Sequence, residues 1–347
     1  MLKWAILALV GCLVPVGIAG GAFVDISALV DSPPEVALAE GIQFYRLIVG
    51  GDPSGTPPDN PAYRVDANVP TSPFAGVGSV RANATGGYYC GTGTLVSPWH
   101  VLTAAHVVDV NDDGAADFSP GAVSFYVNNG PAPTIITAEH IDIHPAYTGF
   151  NNPGVNDDLV LITLSEPAPV GVPWYPLWSG AIAGGQQAVA VGYGRSGSGM
   201  SGYTVGASLT VKRVGYNVFD VSLEDDDLAQ GSGILEVWLG DFDGPTTGTN
   251  LFGGGTLGNE IEATLGPGDS GGPSFIELDG QLYLAGINTF GFSVDGGGQF
   301  PLYGSGMGGM LLEPYADWVT AVVPAPPTIL LLAAGLPALM LRRRRGR

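Results

Sequence analysis

Ser270 stands in the stretch Leu265 to Phe275, LGPGDSGGPSF, between Asp269 and the pair Gly271-Gly272. A serine hydroxyl is a weak nucleophile until a base within hydrogen-bond reach takes its proton and an acid holds that base in the right tautomer. The chain has four histidines, His100, His106, His140 and His144, and all precede Ser270. Gly268 to Gly272 also fits the G-x-S-x-G nucleophile elbow, but that arrangement requires its histidine after the serine. No histidine follows Ser270, so the order histidine, acid, serine remains. His106 closes LTAAH, where small residues after a strand let an imidazole reach a cleft. His100 follows SPW at a turn, and His140 and His144 in AEHIDIHP read as surface or packing residues. For the acid, NDDLVLITL offers Asp157 and Asp158. An apolar strand that begins directly after Asp158 puts that carboxylate at the edge of the core, aimed at an imidazole N–H. Asp158 is the choice and Asp157 the alternative. The chemistry is acyl transfer, and it requires no cofactor.

A second chemistry is written three residues after His106, in DVNDDGAADF. Asp109, Asn111, Asp113 and Asp117 fall at positions 1, 3, 5 and 9 of a calcium loop, with Gly114 at the sharp turn and Ala115 offering a carbonyl. Hard oxygen ligands favour a structural Ca²⁺. Pro120 occupies the place of the usual bidentate Glu, so another segment or water must complete the shell. The plainer reading is a solvated acidic turn.

The elements that must position these groups are strands. With 55 Gly and 28 Pro in 347 residues and no G-X-Y period, the composition argues for many turns between short strands, an all-β architecture. From about residue 73 short β-rich runs follow one another: FAGVGSV, YYCGTGTLV, AVSFYV, TIITAEHI, DLVLITL. A Pro/Gly-rich crossing separates them from a second set that includes QAVAVGYG, GILEVWLGDF and QLYLAGINTFGF. Two β lobes are expected, over 65–170 and 171–322. EPYADWVTAVV is the one convincing helix. Residues 20–64 read as a pro-segment or linker.

Both ends read as processing signals. Residues 1–19 carry Lys3, an apolar run from Trp4 to Val16 and a small-residue Gly17-Ile18-Ala19 site for signal peptidase. Leu9 to Cys12 also resembles a lipobox. Residues 323–347 comprise a Pro-rich entry, an apolar run from Ile329 to Leu341 and five arginines. This tail is similar to a PEP-CTERM-type bacterial sorting signal, which implies removal by an exosortase-type enzyme, transient membrane anchoring by a transmembrane segment, and a cell-surface or extracellular destination. Val323-Pro324-Ala325-Pro326 has Ala where the commonest form of that motif has Glu. The six basic residues of 20–322 face all 32 acids, a charge of about −26 that repels nucleic acid and anionic lipid. Removal of the leader takes Cys12 with it, so Cys90 can form no intramolecular disulfide.

LTAAH, NDDLVLITL and GDSGGP, in that order, resemble the chymotrypsin/trypsin family of serine proteases, with support from GYG at 192–194, LAGINTFG at 284–291 and the helix carrying Tyr315 and Trp318. The resemblance spans about residues 73–322. It implies two perpendicular six-stranded Greek-key β-barrels with the site between them and a short C-terminal helix. It also implies a peptide or protein substrate, Ser270 as nucleophile, His106 as general base and Asp158 as orienter. The N–H groups of Gly268 and Ser270 become the oxyanion hole, and Asp269 the partner of an activation-generated N-terminus. The resemblance places the primary specificity pocket at Thr264, with Thr289, Phe290 and Gly291 as wall. Ile48-Val49-Gly50-Gly51 and Val65 are both candidate mature ends. Val107 replaces the cysteine the family often carries after its histidine, and the acidic region 196–262 has no evident counterpart. The expected activity is that of an exported serine endopeptidase. A catalytically silent surface-binding protein and an esterase with the same triad are the competing readings.

Overall fold

A computed structural model describes residues 37–38, 48–150, 156–228, 231–293 and 300–323. The first lobe contains β1 (Ala37–Leu38), β2 (Val77–Ala84), β3 (Gly87–Ser97), β4 (His100–Thr103), β5 (Val123–Val127), β6 (Thr134–Ile143) and β7 (Val160–Leu164). All its ladders are antiparallel. The order runs β3-β2-β5-β6-β7-β4, and β4 pairs back onto β3, so six strands close into a barrel with β1 added outside β3. Closure removes free sheet edges. HVLT in β4 is buried along its whole length, and VLITL in β7 at all but one position, as the continuous apolar runs require. Their interior is filled by Val80, Leu95, Val101, Leu102, Phe125 and Leu161.

The second lobe contains β8 (Gln186–Gly192), β11 (Arg213–Phe219), β12 (Val221–Glu224), β13 (Leu235–Asp241), β14 (Pro273–Leu278), β15 (Gln281–Phe292) and β16 (Gly306–Leu311). A two-stranded ribbon of β9 (Ser196–Ser198) and β10 (Gly202–Val205) stands beside it. The sheet order is β11-β8-β14-β15-β16-β13-β12. The expected second six-stranded barrel is therefore not found: this sheet has seven strands, and no ladder among the described residues joins its two ends. Both end strands, β11 and β12, come from the acidic 196–262 region, which supplies β9 to β13.

Among the described residues the only α-helix is α1 (Ala316–Val322). The transmembrane segment expected at the C-terminus is corrected here, since no helix among the described residues is long and apolar enough to cross a membrane. The segments on which the leader and sorting-signal readings rest, residues 1–19 and 324–347, lie outside the described residues.

Part of the stretch read as pro-segment or linker packs into the second lobe. Ile48 and Val49 are fully buried, Val49 exchanges both backbone hydrogen bonds with Thr264 (3.0 and 3.1 Å), and the Ser196 hydroxyl donates to the Ile48 carbonyl. Arg64 locks this strap. Its guanidinium lies 2.5 Å from Asp59 and donates to the carbonyls of Ile261 (2.7 Å) and Glu262 (2.9 Å), with both members of the ion pair buried. Removing one partner strands the other charge in the interior. Arg64→Ala is therefore expected to cost about 3–5 kcal/mol in urea unfolding. A loss below about 1 kcal/mol would show that the strap is not anchored through this pair.

Candidate active site

The site is built from both lobes. In the first, β4 ends at Thr103 and a single 3₁₀ turn, Ala105–Val107, follows. The turn presents two donors of one residue to one carboxylate. The His106 backbone N–H donates to Asp158 Oδ1 at 2.9 Å, and His106 Nδ1 lies 2.6 Å from Asp158 Oδ2. Asp158 is completely buried, and these bonds compensate the desolvation of its carboxylate. With Nδ1–H facing the carboxylate, Nε2 keeps its lone pair. The Phe150 ring sits 4.5 Å from the imidazole, centroid to centroid, and buries with it.

Asp157, the alternative acid, points elsewhere. It takes φ +50°, and its Oδ1 lies 3.0 Å from His144 Nδ1. His144 packs edge-on against Tyr315 and Trp318. The His100 ring bonds Ser97 at 2.7 Å, and burial lowers its pKa. His140 is exposed beside Asp142. The structure thus joins His106 to Asp158 and leaves the other three histidines in packing or surface roles.

In the second lobe, Gly266 to Gly272 forms a tight loop before β14. Asp269 is fully buried inside it, accepting from the N–H of Gly194 (2.7 Å) and of Gly266 (2.9 Å). Gly192 and Gly194 are needed for this approach, since a Cβ at either would lie within 2.5 Å of the aspartate side chain. Gly268 has φ +97°, which glycine adopts without penalty. The N–H groups of Gly268 and Ser270 donate to no other group among the described residues.

Thr92 on β3 ties this loop to the first barrel. Its N–H donates to the Ser270 carbonyl (2.8 Å) and its hydroxyl to the Gly268 carbonyl (2.8 Å), while Tyr193 N–H donates to that hydroxyl (3.1 Å). Sequence reasoning missed Thr92 and Phe150. The only available signal for Thr92 was a hydroxyl inside the run YYCGTGTLV, on a position that proves fully buried.

Of the residues expected to form a specificity pocket, Thr289, Phe290 and Gly291 lie in β15, while Thr264 pairs with Val49. Thr264 is fully buried with no hydrogen-bond partner for its hydroxyl, and the same holds for the Thr289 hydroxyl. Phe290 is buried, and Phe300 lies so close to Gly291 that an added Cβ would meet its ring at 2.0 Å. The residues of the expected calcium loop are linked by hydrogen bonds from the loop's own backbone. Asp109 accepts from the N–H of Asp113 (3.2 Å) and Gly114 (2.8 Å), Asn111 from Asp113, Asp113 from Ala115, and Asp117 from Val110 and Asn111. The acid oxygens of Asp109, Asp113 and Asp117 are turned to their own backbone and do not converge, whereas those of Asp157, Asp226 and Asp227 lie within 4.8 Å of one another.

A closed barrel carrying a buried histidine–aspartate pair, and an open β lobe whose serine loop is clamped to that barrel through Thr92, form the scaffold of a serine hydrolase of the two-lobed β type. The trypsin family matches residues 66–305, and the chain belongs to it. No curated protein matches the chain.

In the second lobe a cavity of about 360 Å³ is lined by Asp52, Asp243, Asn259, Glu262 and Tyr303 among others. Burial first, then repulsion from Asp241, pushes the carboxyls of Asp220 and Asp243 each up to about 7. Burial raises Glu262 to about 8, against the opposing pull of hydrogen bonds from the N–H of Leu257 and Asp243. A carboxyl whose pKa rises on folding binds its proton more tightly in the folded state. Its stabilising contribution is complete below the unfolded value near 4 and is lost as pH rises through 7 to 8. The urea midpoint is therefore expected to fall between pH 5 and pH 8, and Asp220→Asn with Glu262→Gln to flatten that fall. A midpoint that rises over the same range in the parent protein would contradict it.

Proposed function

We propose that the protein is an exported serine endopeptidase acting through Ser270, His106 and Asp158. The observation that carries this reading is the His106 ring, held by a buried Asp158 through both its Nδ1 and its own backbone N–H. His106 Nε2 takes the Ser270 hydroxyl proton as the oxygen attacks the scissile carbonyl. Asp158 stabilises the imidazolium that results, and His106 then returns the proton to the leaving amine. The N–H groups of Gly268 and Ser270 meet the developing oxyanion, a contribution of about 3 kcal/mol or more per donor in related chemistry. Water repeats the sequence on the acyl-enzyme.

Two further readings accompany it. Of the two candidate mature ends, burial favours Ile48, because Val65 is 42% exposed. Cleavage before Ile48 would give an ammonium to pair with Asp269. Leader removal at about residue 19 and tail removal near Val323 complete the processing, with signal peptidase and an exosortase-type enzyme as partners. N-terminal sequencing and intact mass of the protein from its host test all three cuts.

Ser270→Ala, His106→Ala and Asp158→Asn are each expected to lower peptidase activity about 10⁴-fold while leaving folded yield unchanged. Fluorophosphonate should label the parent and not Ser270→Ala, and failure to label the processed parent would favour the silent binding protein. Activity on short-chain esters without any on casein would favour the esterase.

The pocket supports a preference as well. A site for Arg or Lys needs a buried carboxylate, because an unpaired buried cation is costly. Thr264 and Thr289 offer neutral floor and wall, and Phe300 narrows the pocket against Gly291. Cleavage after small or medium apolar residues is expected in a mixed peptide library. Dominant cleavage after Arg or Lys would overturn the assignment of Thr264 as the floor.

A further inference from the structure

The backbone on either side of Asp158 is held from outside its own loop. Asp157 takes φ +50°, and the Leu159 N–H donates to the Asp157 carbonyl at 2.6 Å. This tight turn sends the Asp158 carboxylate to His106 and the Asp157 carboxylate the other way, to His144. The left-handed region is unfavourable for a residue with a Cβ, and it persists where the surroundings fix it. On the C-terminal side, the Leu159 carbonyl accepts from the His144 N–H at 2.9 Å. On the N-terminal side, the Asp157 N–H donates to Oε1 of Glu236 at 3.1 Å.

Glu236 belongs to the other lobe. It is the second residue of β13, 79 positions along the chain from Asp157, and at 2% exposed it meets no substrate. Its Oε1 also accepts from the Tyr315 hydroxyl at 2.5 Å, and its Oε2 from the Asp226 N–H at 3.4 Å. Tyr315, the residue before α1, is buried and packs edge-on against His144, with ring centroids 4.9 Å apart. Burial pushes the Glu236 carboxyl up to about 7, against the opposing pull of the Tyr315 hydrogen bond. Protonated or ionised, the group keeps an oxygen that accepts from the Asp157 N–H.

We propose that Glu236 is a positioning residue for the catalytic acid: from the second lobe it fixes the N–H of Asp157, is itself fixed by Tyr315, and so sets the place from which Asp158 orients His106. One side-chain oxygen then couples the docking of the two lobes and of α1 to the geometry of the histidine–aspartate pair. The bond between His106 Nδ1 and Asp158 Oδ2, at 2.6 Å, is short and charge-assisted, and such bonds weaken steeply when alignment is lost. Without the Glu236 acceptor the Asp157 N–H is left buried and unpaired, and the turn is free to rotate toward another partner. The positioning claim stands on these hydrogen bonds. Its effect on turnover rests on the protease reading given above.

Two variants of similar volume test it. Glu236→Gln keeps an acceptor oxygen for the Asp157 N–H and the Tyr315 hydroxyl, whereas Glu236→Met keeps the volume and offers no comparable acceptor. With active sites counted by fluorophosphonate titration, Glu236→Met is expected to lower kcat about 10- to 100-fold with little change in KM. Glu236→Gln should stay close to the parent. A second readout needs no turnover. In the Ser270→Ala protein the proton of the short His106–Asp158 hydrogen bond is expected to give a far-downfield NMR resonance. Glu236→Met should move it upfield or broaden it, and Glu236→Gln should preserve it. Glu236→Ala carries the same expectation should the methionine variant fail to fold. An unchanged resonance in the variants without an acceptor, whatever their melting temperature, or equal losses in Glu236→Gln and Glu236→Met, overturns the proposal. A parent that hydrolyses no peptide and takes no fluorophosphonate would sink the protease reading, and the resonance would still decide the positioning.

Discussion

A carboxylate with no access to water must be surrounded by donors or it will not stay ionised. Asp158 is such a group, and the geometry around it follows from that requirement. The 3₁₀ turn after β4 exists in the one place where a backbone N–H and a ring N–H of the same residue can both reach it. The ring orientation, the tautomer and the direction in which Nε2 faces are consequences of satisfying this buried charge. Asp269 repeats the logic in the other lobe, where two backbone N–H groups converge on a second buried carboxylate and two glycines clear the space. Ser270 therefore directly follows one of these two buried carboxylates in the chain.

Among the described residues no disulfide holds the lobes together, and polar bonds cross the interface between them. Thr92 contributes two of them, both to the backbone of the nucleophile loop. The strap from Ile48 to Arg64 belongs to the second lobe by its contacts, although it precedes the first in sequence. Each lobe is thus partly held by chain from the other side of the molecule. The second lobe also carries most of the buried acid, and its raised carboxyl pKa values mean that burial there favours the neutral, protonated form over the charged one.

Much of this was legible in the residues. Chain order alone separated the serine from a nucleophile elbow, and the apolar run after Asp158 placed the acid at the core edge, where it stands. The continuous run of β7 and the terminal helix were equally plain. What could not be read was whatever depends on long-range approach. Thr92 looks like any strand threonine until the second lobe is folded against it. The region 196–262 showed β-rich runs such as GILEVWLGDF but no counterpart in the resemblance, so the way its strands extend the second sheet could not be read. The acidic loop after His106 had the spacing of a cation site, but spacing cannot show whether carboxylates turn inward to an ion or back to their own N–H groups. In the structure they turn back, and the acids that do converge come from positions about 70 residues apart.

The bond from Thr92 to the Gly268 carbonyl spans 176 positions of the chain, and the one from Arg64 to Glu262 spans 198. Contacts of such separation must overcome the entropy of closing a long loop before they return any stability, so they form late and slowly. During synthesis the first barrel, with His106 and Asp158 already paired, is complete long before Ser270 leaves the ribosome. The nucleophile loop acquires its shape only when both lobes have folded and met. A half-made chain consequently holds the His106–Asp158 pair without the Ser270 loop, and under the function proposed above the order in which the residues are written delays reactivity until the molecule is whole.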